Sequence, residues 1–306
     1  MSKSKIEWTG ETLNPFVGCS IVSPGCRFCY AMKMAARIET MGGPEHYRGL
    51  TMPSKAGPVW TGKLALAPND TLTKPLHRRK PTTYFVNSMS DLFHEDVPDE
   101  WIDRVFAVMA LCPLHTFQVL TKRSARMRAY MTALPDRASR HKAMLSNDLN
   151  DPSHCLGLLR SDYPGARAWP LPNVWLGVST ERQQEADERI PDLLATPAAV
   201  RFVSAEPLLG PVNLKRIKVG KGWQDALAGW RDCENYPGRE ETLNWIIVGG
   251  ESGPNARVMD PDWARSIRDQ CAASGVSFFM KQMTKKTEIP SDLFIRQTPS
   301  SIHGGQ

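Results

Sequence analysis

Three cysteines stand within eleven residues in Cys19-Ser-Ile-Val-Ser-Pro-Gly-Cys26-Arg-Phe-Cys29, followed by Tyr30 and the helix-favouring run from Ala31 to Arg37. Pro24 and Gly25 bend the chain before the second cysteine, so the stretch reads as a loop folded over something, with a helix leading away. Thiols this close serve a metal, a redox reaction or a disulfide. A tetrahedral structural zinc asks for a fourth cysteine or histidine at matching spacing, and none stands nearby. Three thiolates without a fourth suit a 4Fe-4S cluster on Cys19, Cys26 and Cys29, with one iron left open to a small ligand.

A second set of polar residues recurs where apolar runs stop. The runs end at Ser88-Met-Ser90-Asp91, Thr121-Lys122-Arg123, Ser179-Thr-Glu181, Ala205-Glu206-Pro207, Gly249-Gly-Glu251-Ser252 and Lys281-Gln282. One such ending is an ordinary loop; six in succession point to a functional rim. His94 stands close by as a proton donor, a ligand or a packed histidine.

The elements that must position these residues alternate. Runs at 82–87, 116–121, 173–178, 200–204, 244–248 and 276–280 read as buried strands, with a weaker first strand near Leu13 to Val17. Between them, Ile102, Val105, Phe106 and Met109 repeat at helical spacing after Pro98, as do Ala186, Ile190, Leu193 and Leu194. Asp260 and Pro261 open a helix bearing Trp263, Ile267 and Cys271. Strands alternating with helices imply a parallel sheet. The expected fold is α/β, a partial or nearly closed (β/α) barrel of six to seven parallel strands, with a doubly wound sheet as second choice. It is expected as a single domain over residues 1–306, with insertions at about 41–80, 151–172 and 211–243. In a barrel all six polar endings share the carboxyl-terminal rim, where active sites are built.

Composition adds bounds. Hydrophobic residues make up 41% of the 306 and charged residues 23%, enough to bury a full core. Apolar runs are strand-sized, so no membrane span is expected, and Met1 to Gly10 lacks the apolar core of a secretory signal. With seven cysteines, an odd number, this argues for a cytoplasmic, reducing setting. Cys112, Cys155, Cys233 and Cys271 stand alone and are expected as ordinary thiols. The net charge of +6 concentrates in His77-Arg78-Arg79-Lys80 and from Lys122 to Lys142, clusters that suit phosphate or simply face water.

The residues also carry resemblances. Cys26-Arg-Phe28-Cys29-Tyr30, with an aromatic before the last cysteine, resembles the cluster loop of radical S-adenosylmethionine (SAM) enzymes. Six residues separate Cys19 from Cys26, where those enzymes usually have three. The chain as a whole resembles a largely uncharacterised bacterial and phage family marked by three cysteines. That likeness rests on Asn14-Pro-Phe-Val-Gly-Cys19, Phe85 to His94, Thr121-Lys-Arg123, Trp175-Leu-Gly-Val-Ser179, Glu206-Pro-Leu208 and Gly249-Gly-Glu-Ser252. The endings Ser90-Asp91, Thr121-Lys122 and Ser179 are similar to those of spore photoproduct lyase, which repairs a thymine dimer in DNA.

These resemblances imply a SAM site lined by Ser90, Asp91, Lys122 and Ser179. They also imply that Phe28 and Tyr30 pack on the cluster or adenosine, and that Glu181, Glu206 and Glu251 contact substrate or the SAM ribose. The lyase has a hydrogen-donating cysteine where Ser88 stands here, so its reaction is not implied. The Gly249-Gly250-Glu251 triplet lies several strands later than the radical-SAM triplet it resembles, and its role is not transferred. The resulting expectation is a radical-SAM-like enzyme with a flavodoxin- or ferredoxin-type electron donor and a DNA, RNA or nucleotide substrate. A non-catalytic nucleic-acid-binding protein on a structural metal, or a cluster used for sensing or electron transfer, remain the alternatives.

Overall fold

A computed structural model describes residues 4, 6–55, 57–140, 168–232, 240–253 and 255–299. Cys155, Cys233, Lys142 and the segment 151–167 lie outside these residues, as do the side chains of Arg137 and Arg140. Seven strands form one sheet: β1 (Glu11–Leu13), β2 (Thr83–Val86), β3 (Thr116–Thr121), β4 (Val174–Ser179), β5 (Val200–Ala205), β6 (Trp245–Gly249) and β7 (Ser277–Gln282). Their order in the sheet is their order in the chain. The pairs β1–β2, β2–β3, β5–β6 and β6–β7 are parallel. A doubly wound sheet reverses direction at a switch point. This order never reverses, so the winding is the (β/α)-barrel kind, with β1 and β7 at the two ends of the order. By compactness the chain divides into Met1–Trp175 with Pro197–Ala199, and Leu176–Thr196 with Val200–Gln306.

The first unit holds β1 to β3 and the helices α1 (Tyr30–Thr40), α2 (Asp99–Leu111) and α3 (Ser124–Arg140). Ile102, Val105, Phe106 and Met109 on α2 are buried, as their spacing implies. Tyr84 on β2 stacks on Phe117 of β3, ring centroids 5.5 Å apart. The expected first strand over 13–17 is broken at Pro15, which has no N–H to give a ladder. β1 stops at Leu13, and Phe16–Val17 pairs antiparallel with Ala65–Leu66 instead. Residues 69–77 form a short helix at Asn69–Thr73 and a 3-10 turn at Lys74–His77 with Pro75 in its first turn. The stretch 41–80 is not a loose excursion. Its Leu50 and Trp60 join Val17, Ala31, Met32, Ala35 and Met89 in one apolar cluster, against which Cys19 and Cys29 pack.

The second unit holds β5 to β7, most of β4, and the helices α4 (Gln183–Leu194) and α5 (Pro261–Ser274). Every residue of β5 is buried, as expected of a central parallel strand. Asp260 caps α5 by accepting from the Asp262 amide, with Pro261 in the first turn. Within 211–243, Ile217–Val219, Gly222–Asp225 and Trp230–Asp232 form an antiparallel meander. Its Lys218 amide donates to Asp187 on α4, which fastens the meander to that helix. No helix among the described residues is long and apolar enough to cross a membrane.

Candidate functional site

In the first unit the carboxyl ends of β2 and β3 bring Asp91 and Arg123 together. Asp91 is 5% exposed. Its Oδ1 accepts from the Thr121 hydroxyl at 2.6 Å and the Phe93 amide at 3.0 Å. Its Oδ2 accepts from the Lys122 amide and from Arg123 Nη1, each at 3.1 Å. Arg123 continues outward from this anchor. Nη1 also donates to Cys19 Sγ at 3.6 Å, Nη2 to Ser20 Oγ at 2.7 Å and to the Ser20 carbonyl, and Nε to both oxygens of Glu95. Burial works against the guanidinium's charge, but Asp91, Cys19 and Glu95 outweigh it and hold Arg123 firmly protonated.

His94 completes the arrangement. Its Nδ1 accepts from the Asp96 amide at 3.1 Å, so the neutral ring carries its proton on Nε2, 2.8 Å from Ser20 Oγ. Burial, then Arg123, lowers its pKa against the pull of Glu95, Asp91 and Asp96, which favours that neutral form. Ser20 therefore accepts from both His94 and Arg123.

The cysteines lie against this network. Burial pushes the Cys19 thiol up to about 12, with Asp91 and Cys29 adding to the rise and Arg123 opposing it. Cys29, half-buried at the start of α1, is raised by burial and by Cys26, against the amides of Ala31 and Met32 and the charge of Lys122. Cys26 is buried, with Ser23 Oγ 3.8 Å from its sulfur. Cys19 thus feels Cys29, and Cys29 feels Cys26. Three soft thiols, two of them on an apolar wall, with Arg123 and Lys122 nearby as counter-charge, match an iron–sulfur cluster in donor type and number. Among the described residues no three Cys, His, Asp or Glu side chains converge as a finished metal site. Ligation would draw the 19–29 loop together.

The other residues singled out from the sequence have identifiable partners. Ser90 donates its hydroxyl to the Phe16 carbonyl and accepts from Asn87. Tyr30 donates to the Ser88 carbonyl at 2.7 Å, tying α1 to the end of β2. Phe28 lies beneath the guanidinium of Arg27 and the ammonium of Lys33. Arg126, in the basic run read as meeting phosphate or facing water, donates to the carbonyls of His94, Glu95 and Val97 and to Asp99. Arg78 pairs with Glu11.

The second unit has its own strand-end cluster. Glu181 is fully buried and pairs with Arg189 at 3.1 Å, while Arg189 also donates to the Ser179 carbonyl. Glu206 accepts from Ser204 and pairs with Lys281 at 2.9 Å. Glu251 is clamped by Arg257 through its amide, Nε and Nη2. The glycines before Glu251 answer to packing. A Cβ on Gly249 would lie 2.4 Å from Glu206 Oε1, and one on Gly250 would lie 2.4 Å from the Thr284 backbone nitrogen. Gly250→Ala should therefore destabilise by about 1–3 kcal/mol, read as a lowered urea midpoint. An unchanged midpoint would mean that the 283–284 backbone yields.

The sequence singles out Asp91, Lys122 and the cysteine loop, and says nothing of the parts that Ser20, Glu95 and Arg189 play in these networks. Arg123 was visible as part of a strand ending and a basic run, without its buried role, since a buried arginine reads in sequence like a solvated one. A family model described as a protein of unknown function, DUF5131, matches residues 3–298. No curated protein and no solved structure matches the chain.

Proposed function

The chain belongs to DUF5131, a protein family of unknown function, and from its strand-end chemistry we propose a radical-SAM-like iron–sulfur enzyme. The observation that carries this reading is the set of three cysteines in the loop after β1: Cys19 and Cys29 pack on one apolar cluster, and the Cys29 amide donates to the Cys26 carbonyl. The singly wound parallel sheet supports it, because strand-end loops then fall at the carboxyl ends where such sites are built. Cys19, Cys26 and Cys29 would hold a 4Fe-4S cluster. Bound there, it supplies the electron that splits SAM into methionine and a 5′-deoxyadenosyl radical.

The chain's own residues have distinct parts in this reading. Asp91 fixes the end of β3 through Thr121, the Lys122 amide and Arg123, so its carboxylate is a scaffold for the rim. Lys122, whose charge opposes the rise of the Cys29 thiol, would meet the SAM carboxylate. The apolar cluster of Leu50, Trp60, Met32 and Met89 keeps water from the thiols. The proposed electron donor is a small flavodoxin- or ferredoxin-type protein. A nucleic acid or nucleotide substrate remains part of the proposal. Its support has narrowed to the exposed His77, Arg79, Lys80 and Arg128, because Arg123 and Arg126 are turned inward.

The test is anaerobic reconstitution followed by reduction in the presence of SAM. Wild-type protein should release 5′-deoxyadenosine and methionine in equal amounts. Lys122→Ala should keep the iron and weaken SAM binding by roughly ten- to a hundredfold, the loss of one charged hydrogen bond. A reconstituted protein that neither binds nor cleaves SAM would remove the radical-enzyme reading and leave sensing or electron transfer.

A further inference from the structure

Arg123 has five N–H groups in a planar fork, and all five have acceptors. Nη1 gives one to Asp91 and one to Cys19 Sγ, Nη2 gives two to Ser20, and Nε gives one shared by the oxygens of Glu95. Four of these bonds end on oxygen and fix the plane of the guanidinium. The fifth is thereby aimed at the sulfur. Ser20, its largest anchor, is the residue next to Cys19 and is itself held by His94. The side chain is 5% exposed, so water competes little for its bonds to Asp91, Cys19 and Ser20.

We infer that Arg123 is the positioning residue of the thiol site, holding the Cys19 end of the loop and donating an N–H to its sulfur. The inference rests on the cluster reading above and adds to it the group that sets the reduction potential. Hydrogen bonds to ligand sulfurs, net charge and exposure are what tune an iron–sulfur centre. The positive charge of Arg123 is more than offset here, because Asp91 and Glu95 both lie against the guanidinium. The directed N–H is what remains. It stabilises the additional negative charge of the reduced state and makes the centre easier to reduce.

The experiment compares reconstituted wild type, Arg123→Lys and Glu95→Gln for iron content and midpoint potential under anaerobic titration. Arg123→Lys keeps the charge and loses the fork, so its potential should fall. A tenfold lower ratio of reduced to oxidised centre at fixed potential is expected, about 59 mV for a one-electron couple. Glu95→Gln alters an anchor whose side chain is 58% exposed and should fold normally. It should retain full iron and shift the potential upward by a smaller amount, because it removes a carboxylate that offsets the guanidinium's charge. If Arg123→Lys takes up no iron, the Glu95→Gln potential decides. Wild-type potential in every variant that holds iron would overturn the inference while leaving the cluster intact. A wild-type protein that takes up no iron and sulfide would overturn the cluster reading, and the inference with it.

Discussion

Replacing any one of Cys19, Cys26 or Cys29 by alanine should abolish the bound iron. Anaerobically reconstituted wild type should carry about four irons and four sulfides per chain and absorb broadly in the visible. Each single variant should be colourless. The size of the effect follows from ligand number: with three thiols, loss of one leaves two, too few to hold a four-iron centre. Controls are set by burial. Cys112 and Cys271 are buried thiols whose pKa values burial raises to about 12, with no other cysteine among the causes. Their alanine variants should keep the iron. Stoichiometric zinc without iron, or iron that survives all three substitutions, would replace the cluster with a structural metal or an adventitious one.

Arg189→Ala should cost about 3–5 kcal/mol, because it removes the charged partner of a carboxylate with no solvent contact. Glu181 is fully buried and Arg189 is 2% exposed, so neither can turn to water when its partner goes. The same arginine also holds the Ser179 carbonyl at the end of β4. The loss should appear as a lower urea midpoint with an unchanged slope. Arg265→Ala makes the contrast: its bonds to Asp262 and Asp292 lie at the surface and should leave the midpoint unmoved. A midpoint for Arg189→Ala equal to wild type would mean that the buried pair contributes nothing beyond its packing.

Periodicity carried most of the architecture. The strand at 116–121 and the buried faces of α2 and α4 stand where apolar spacing put them, because a sheet buried on both faces leaves little choice of residue. The order of strands in the sheet was open until the structure showed it unreversed, since local patterns say nothing about which strand pairs with which. The rim shows the same divide. Residue type and spacing identify Cys19, Asp91 and Lys122, whereas the partners of Ser90, Arg126 and Glu251 depend on contacts 74, 27–32 and 6 residues away. A polar residue bound to a distant carbonyl and one awaiting a ligand look alike in a sequence. The 41–80 stretch misled for a related reason. Its Gly and Pro content signals turns, and turns also make the roof that packs on α1.

The unreversed strand order has a consequence for how the protein is made. Each strand pairs with the strand synthesised just before it, so the sheet extends at one growing edge as the chain leaves the ribosome. Every residue of the thiol network, from Cys19 and Ser20 through Asp91, His94 and Glu95 to Arg123, has been translated before β4 begins. Ordering of this network can thus begin on a nascent chain, while the last four strands are still inside the tunnel or unmade.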